Sequence, residues 1–182
     1  MTASFQIREQ GLEHHSVAPE VPGPDEFSDI MDADNAELAK LPERVRFFLT
    51  QNRPFYVRPV PQSDVTSPLG STKFVWMRAV DRVPDDPHCH EALLAYMSDY
   101  ELLGTATLPH GGRNAIKGRI QMASLDHAMW FHRPFRVDEW LLFCYDSPSA
   151  SGARGLARGQ VFTEQGEFVA STAQEGLIRL RD

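Results

Sequence analysis

From about residue 54 to its end, the chain is a series of β-prone runs with a single helical run among them. The runs are rich in Val, Phe, Trp and Tyr, and Ser, Pro and Gly separate them, as in strands joined by loops. They cover residues 53–60, 72–80, 119–132, 139–147, 155–163 and 167–180. One helix followed by antiparallel strands predicts an α+β fold.

The helical run lies in DDPHCHEALLAYMSDYELL, residues 85–103. Asp86 can cap the first turn, and Pro87 can occupy the first helical position, where its missing N–H costs nothing. Apolar residues continue around much of the circumference, and Ala92 and Ala95 form a small-residue stripe below Asp99. We therefore expect a buried helix, with strand backbones close to that stripe.

Length and charge limit the classes of function. With 182 residues, the chain suits one compact domain with extensions, and its net charge of −7 argues against a nucleic-acid partner. The two cysteines, Cys89 and Cys144, have no C-x-x-C spacing, so neither a disulfide framework nor a zinc ribbon is indicated. No run approaches the roughly 18 apolar residues of a membrane span, and no leader pattern begins the chain, so we expect a cytoplasmic protein without a membrane partner.

The region before residue 53 reads differently. Its start, MTASFQIRE, is briefly β-prone, and the prolines at 19, 22 and 24 then predict an extended linker. Residues 35–50 predict a short helix that is interrupted or bent near Pro42.

The stretch SLDHAMWFH, residues 124–132, raises the possibility of a hydrolase triad or a metal site. On one continuous strand, Ser124 and Asp126 would face one side and His127 the other, with Ser124 and His127 about 10 Å apart. A nucleophile and its base need hydrogen-bond contact, so a local triad is disfavoured. His127 and His132 would also face opposite sides, which disfavours a metal site. Packing and backbone hydrogen bonds are the remaining explanation of these histidines.

Three polar residues are predicted to point inward from separate elements. Ser124 shares a strand face with apolar Met122, Gln174 lies on the apolar face of the last strand, and Asp99 follows the helical stripe. Each could simply bond to the local backbone. Together, a carboxylate, a hydroxyl and an amide could instead orient one water and accept its proton.

Several blocks in order resemble the type II acyl-CoA thioesterases, which have a double hotdog fold: MTASFQ, VPDD, AYMSDY, SLDHAMWFHRPF, EWLLFCYDSPSASGARGLARG and VASTAQEG. The match runs from Met1 to about Arg179. The resemblance implies a hotdog fold, a curved antiparallel sheet around a central helix. It also implies that Asp99, Ser124 and Gln174 activate the water that attacks an acyl-CoA thioester, without a metal or redox cofactor.

The same resemblance sets expected boundaries. Residues 1–8 resemble the last strand of an N-terminal hotdog that precedes this region in the family, residues 9–52 form a linker with the short helix, and residues 53–182 form the C-terminal hotdog. We therefore expect a partner, either a second copy in a homo-oligomer or a separate N-terminal hotdog half.

The resulting hypothesis is hydrolysis of fatty acyl-CoA to free fatty acid and coenzyme A. Asp99 is the expected general base, and Arg154 and Arg158 are candidates for the coenzyme A phosphates. One alternative is a catalytically silent hotdog that binds acyl-CoA or a partner chain. Another is a hotdog hydratase or dehydratase, in which His88 or His90 would be essential and Asp99 dispensable.

Overall fold

The computed structural model describes residues 2–7, 9–30, 54–61, 72–112 and 119–181. In these ranges, strands and one α-helix follow each other as predicted for an α+β fold. The elements are β1 (Phe55–Pro59), β2 (Lys73–Ala79), α1 (Pro87–Met97), β3 (Ile120–Ser124), β4 (Ala128–Phe131), β5 (Leu141–Ser151), β6 (Arg154–Thr163) and β7 (Phe168–Leu180), with short 3-10 helices at Pro24–Glu26 and Leu103–His110.

The strands form one antiparallel sheet in the order β1-β2-β5-β6-β7-β3, and β4 also pairs with β7. The last two strands, β6 and β7, form an antiparallel hairpin, and Gly166 takes the positive φ of 86° that its turn requires. Gln174 and its alternate neighbours on β7 are buried on the inner face, as the alternation of apolar residues predicts. This face carries the candidate site.

One side of the sheet packs against α1. The buried helix residues Leu94 and Met97 join a core cluster with inward side chains of β1, β2 and β5, including Val57, Met77 and Phe143. The predicted cap is confirmed, since the Asp86 carboxylate accepts a hydrogen bond from the backbone N–H of His88 at 3.0 Å. The helix thus begins where the sequence indicates and covers the inner face.

The expected small-residue stripe on the helix is wrong. Ala92 and Ala95 are exposed, whereas His90, Leu94 and Met97 are buried. The helix ends at Met97, so Asp99 lies beyond it and not on its buried side. The apolar side chains that spread around the helix do not all face the sheet.

The other side of the sheet has its own apolar cluster, which includes Trp76, Leu142 and Phe162. Residues 18–27 cover it: Ala18, Val21 and Phe27 pack against these side chains. The Trp76 indole N–H donates to the Pro22 carbonyl at 3.0 Å. The predicted linker is thus packed onto the sheet along residues 18–27.

This covering segment also continues toward the edge strand. The buried Asp29 carboxylate accepts a hydrogen bond from the Val57 backbone N–H at 2.6 Å, and the Ile30 N–H donates to the Val57 carbonyl at 2.8 Å. Before it, residues 2–7 carry no strand pairing, and Phe5 and Ile7 are almost fully exposed. The short helix expected at residues 35–50 lies outside the described residues.

The expected single strand across residues 119–132 is also wrong. β3 ends at Ser124 and β4 begins at Ala128. Between them, the Leu125 N–H donates to the Glu175 carbonyl at 2.9 Å, and the Asp126 carboxylate accepts from the Glu175 N–H at 2.7 Å. The Asp126 side chain thus takes the place of a backbone carbonyl in the hydrogen-bonding pattern of the sheet. The alternation of side chains between the two faces stops at Ser124 and starts again at Ala128.

Candidate active site

The floor of the site is the inner face of β6 and β7. Gln174 is 1% exposed and lies opposite Ala157 of β6. Gly155 and Gly159 flank Ala157 on the same face, and Gly159 lies against the Tyr145 ring and the Thr172 methyl group. Small residues on β6 therefore leave room above the strand for larger side chains from its neighbours.

Asp99 approaches this floor from the turn after α1. The Gln174 amide nitrogen, Nε2, donates to Asp99 Oδ1 at 2.6 Å. The Asp99 side chain is nevertheless 61% exposed, so a reactant can reach the carboxylate. The structure thus brings two of the three predicted catalytic residues into direct contact, although they are 75 positions apart.

Ser124 lies at the end of β3, directly opposite Gly176 of β7. Paired residues of antiparallel strands share a face, so the Ser124 side chain is on the same face as Gly176 and Gln174. Ser124 is exposed. The register therefore places the hydroxyl one diagonal cross-strand position from Gln174, at the margin of the same space.

His127 also belongs to this site, which the sequence reasoning missed. Its Nδ1 is 3.3 Å from Gln174 Nε2 and 3.9 Å from Asp99 Oδ1. Its Nε2 is 2.9 Å from Ser98 Oγ and 3.2 Å from Thr172 Oγ1. The expectation that His127 faces away from Ser124 is wrong, because the strand breaks between them. The signal in the sequence was Asp126, a poor strand residue at the centre of the run.

Tyr145 is fully buried, and its ring lies against Gly159 on the inner face of the sheet. Burial raises the pKa of Tyr145 well above its ordinary value, and the nearby negative charges of Glu101 and Asp99 raise it further. The phenol is therefore neutral throughout the physiological range. It is a proton-bearing group and not a second negative charge beside Asp99.

Arg154 and Arg158 are not brought to Asp99. They alternate along β6 with the inward residues Gly155 and Ala157, so their side chains lie on the opposite face of the sheet. Arg154 forms an ion pair with Glu175 at 3.1 Å, and Arg158 Nε donates to Asp146 at 3.0 Å. The Asp146 carboxylate raises the pKa of Arg158.

The two histidines of the hydratase alternative are placed elsewhere. His90 is 3% exposed, and its Nδ1 accepts a hydrogen bond from the Val137 backbone N–H at 3.2 Å. His88 is on the exposed first turn of α1, with its Nδ1 3.2 Å from Glu91. Neither geometry supports a His-centred site at the helix start.

Across the described ranges, no helix has the length and apolar character to cross a membrane. Within the same ranges, His, Cys, Asp and Glu side chains form no group of three or more suited to a metal ion.

Comparison with known proteins identifies relatives over most of the chain. The family model for acyl-CoA thioesterase matches residues 47–177. Acyl-CoA thioesterase 2 of Haemophilus influenzae is 38% identical over all of this chain and 64% of its own length. Human acyl-coenzyme A thioesterase 8 is 35% identical over 98% of this chain and 58% of its own length. The chain thus spans less than two thirds of these curated relatives.

Solved structures with a similar fold include members of the same family. The crystal structure of the acyl-CoA thioesterase II TesB2 from Mycobacterium marinum superposes with a TM-score of 0.78 at 40% identity, covering 97% of this chain and 61% of that one. A hot dog fold protein of unknown function from Alicyclobacillus acidocaldarius superposes with a TM-score of 0.65 at 19% identity, covering 96% of this chain and 59% of that one. The second likeness shows the fold alone. Because the family match covers most of the residues and the architecture recurs in these structures, the chain belongs to the acyl-CoA thioesterase family and has a hotdog fold.

Proposed function

We propose that the chain hydrolyses fatty acyl-CoA to a free fatty acid and coenzyme A by activating a water molecule. The observation that carries the proposal is the 2.6 Å hydrogen bond from the Gln174 amide to the accessible Asp99 carboxylate. The relatives are named acyl-CoA thioesterases, which supports the choice of substrate.

Asp99 is the proposed general base. The Gln174 N–H occupies Asp99 Oδ1, so Oδ2 is the oxygen that accepts the proton of water. The resulting hydroxide oxygen bonds to the thioester carbonyl carbon and forms a tetrahedral oxyanion. Collapse of that intermediate breaks the carbon–sulfur bond, and the leaving coenzyme A thiolate takes up the proton that Asp99 accepted, which restores the Asp99 carboxylate.

Gln174 is proposed to hold the Asp99 carboxylate in place, and Ser124 to orient the attacking water. The position of Ser124 on the same face as Gln174, together with its exposure, supports its role. A hydroxyl can accept one hydrogen bond from the water while donating another, so it restricts orientation without becoming a covalent nucleophile.

The coenzyme A contacts of Arg154 and Arg158 remain a prediction. Their ion pairs with Glu175 and Asp146 would have to open, or share the guanidinium, for a phosphate to bind. The expected homo-oligomer, the alternative partner half and the cytoplasmic location also remain predictions. The exposed apolar side chains of Phe5 and Ile7 support a partner surface at the start of the chain.

The test is thiol release from acyl-CoAs of short to long chain length by the purified protein. Asp99→Asn should lower kcat by at least about 100-fold, the usual scale of general-base catalysis. Ser124→Ala should lower kcat, and Ser124→Thr should restore it because the hydroxyl returns. Asp81→Asn removes an exposed carboxylate from the loop after β2 and is the matched control.

Each outcome separates the candidates. Turnover that depends on Asp99 but not on Asp81 supports the thioesterase. A folded protein that binds acyl-CoA without releasing thiol, alone or with an added N-terminal hotdog half, contradicts it and supports the silent binding alternative. Turnover that survives Asp99→Asn and is lost in His90→Asn, with hydration of an unsaturated acyl-CoA, supports the hydratase.

A further inference from the structure

His127 lies in the connection between β3 and β4, and β7 fixes that connection through hydrogen bonds from Leu125 and Asp126 to the Glu175 backbone. These backbone and side-chain contacts hold Leu125 and Asp126 on the sheet edge and let the His127 side chain reach the inner face. The His127 side chain is 26% exposed and has partners at both ring nitrogens. Its orientation is therefore set by the protein.

The contacts on the Nε2 side determine which nitrogen bears the proton. The Ser98 hydroxyl donates to the Ala95 carbonyl at 2.9 Å, and the Thr172 hydroxyl donates to the Ala128 carbonyl at 3.0 Å. A hydroxyl has only one hydrogen to donate, so both oxygens can only accept from His127. The hydrogen-bond network thus assigns the proton of the neutral imidazole to Nε2.

The opposite ring nitrogen then acts as an acceptor. A neutral imidazole with a proton on Nε2 has a lone pair on Nδ1, and that atom is 3.3 Å from the Gln174 amide nitrogen. The amide has two hydrogens. One is donated to Asp99 Oδ1 at 2.6 Å, and the other points to His127 Nδ1.

We infer that His127 is a positioning residue that fixes the Gln174 amide with its nitrogen toward Asp99. The inference rests on the proposed hydrolysis and adds to it a residue that acts through Gln174 without touching the substrate. His127 thereby determines which atom Gln174 presents to the general base. Asp126, which anchors the connection, supports the same arrangement from the sheet edge.

The reversed amide is excluded by the same contacts. With its oxygen at the nitrogen position, Gln174 would place an acceptor 2.6 Å from the Asp99 carboxylate and another beside the Nδ1 lone pair. The observed orientation has its own cost, because Gln174 Oε1 is buried without a hydrogen-bond partner in the part of the chain that the structure describes. The hydrogen bonds from the Gln174 amide nitrogen to Asp99 and to His127 offset that cost, and the second of them requires His127.

The first test needs no activity. Long-range proton–nitrogen correlation spectra of the imidazoles should show the His127 proton on Nε2, with the signal assigned by its loss in a His127 variant. The Gln174 side-chain amide signals should move in His127→Leu and return toward their original positions in His127→Asn, because Asn can place an oxygen near the Nδ1 position. A proton on Nδ1, or Gln174 signals that ignore these changes, would overturn the inference.

The second test is kinetic and uses the full chain. His127→Leu should lower kcat by about 10- to 100-fold with KM nearly unchanged, the scale expected when one positioning hydrogen bond is lost. His127→Asn should recover most of kcat, whereas His127→Gln, which carries its amide at the Nε2 position, should not. In a Gln174→Ala background, His127→Leu should cost less than about twofold, since residues that act as a unit are not additive.

His132→Leu is the matched control, because that histidine bonds Ser171, which lies on the face of β7 opposite to Gln174. It should leave kcat within about twofold, with folding of every variant checked by circular dichroism. Equal losses in His127→Leu and His127→Asn, or additive losses with Gln174→Ala, would contradict the inference. A wild-type chain that stays inactive even with an added N-terminal hotdog half, yet shows the expected imidazole and amide spectra, would refute the proposed hydrolysis while leaving the His127–Gln174 contact established.

Discussion

Leu103 packs directly onto Gly176. A Cβ atom at position 176 would lie 3.0 Å from Leu103 Cγ, and nearer still to its methyl groups. Leu103 begins the 3-10 helix Leu103–His110 and is 8% exposed, so it has little room to withdraw. The absence of a side chain at Gly176 therefore sets how closely this helix approaches β7.

Gly176→Ala should destabilise the protein by about 1 to 3 kcal/mol, the usual cost of adding a methyl group to a packed contact. Urea unfolding would measure the change in the free energy of unfolding. Gly11→Ala is the control, since a Cβ there has open space around it. A loss no larger than that of the control would show that Leu103 can turn aside.

Gln174→Glu should inactivate the site more severely than its small change in shape suggests. The substitution would place a carboxylate oxygen 2.6 Å from Asp99 Oδ1, and two carboxylates at that distance persist only by sharing a proton. We expect kcat for thiol release to fall by about 100-fold or more near neutral pH. Gln160→Glu, on the opposite face of the sheet, should leave kcat unchanged. Normal turnover in Gln174→Glu would remove the amide from the mechanism.

The coenzyme A contacts can be tested by separating phosphate binding from the chemical step. If Arg154 and Arg158 bind phosphate, replacing both with Ala should raise KM for acyl-CoA severalfold and leave KM for the corresponding acyl-pantetheine unchanged, because only the former carries phosphates. Arg179→Ala, an exposed arginine on β7, is the control. Equal KM changes for both substrates would show that these side chains serve only their ion pairs with Glu175 and Asp146.

Asp138 should make stability depend on pH in the acid range. Hydrogen bonds from Arg136, joined by one from the Val83 N–H at 2.9 Å, lower the pKa of Asp138 from 3.8 to about 2. A carboxyl whose pKa is lowered by folding stabilises the protein above the unfolded value, and that contribution is lost as the pH falls from about 4 through 2.

Asp138→Asn should therefore reduce the free energy of unfolding by on the order of 1 kcal/mol near neutral pH. This is less than the pKa shift alone would give, because solvent screens the ion pair with Arg136. The difference from the wild type should shrink as the pH falls below 4. Asp25→Asn breaks an exposed pair with Arg58 and should change little. Denaturant unfolding across this pH range measures the free energy of unfolding of the wild type and of Asp138→Asn. A difference between them that stays constant at every pH would contradict the lowered pKa of Asp138.

The contact between Asp99 and Gln174 was predictable in outline. The alternation along β7 turns Gln174 inward without further information, because a two-residue period survives along an unbroken strand. The helical pattern predicts an inward Asp99 above the stripe of Ala92 and Ala95, and this argument is wrong. Both alanines are exposed, and the helix ends before Asp99. The family resemblance, rather than the helical stripe, supplied the useful constraint there.

The sequence did not identify His127 as a site residue. The prediction assumed that side chains alternate between the two faces without interruption, whereas the strand breaks between Ser124 and Ala128. Whether the strand continues past Ser124 depends on Asp126 bonding to Glu175, a residue 49 positions later in the chain. Local propensity does not encode that contact. The prolines likewise predicted an extended segment before residue 30, but the apolar surface that it covers is formed by strands far along the sequence.

The segment over residues 18–30 bears on where the folded unit begins. The family model starts at residue 47 and the first strand at Phe55, so these two limits alone would place the boundary near residue 50. A chain cut at residue 47 would leave Trp76 and its apolar neighbours facing water, an aggregation-prone patch. Judged by burial, the folded unit starts nearly thirty residues before the first residue that the family model matches.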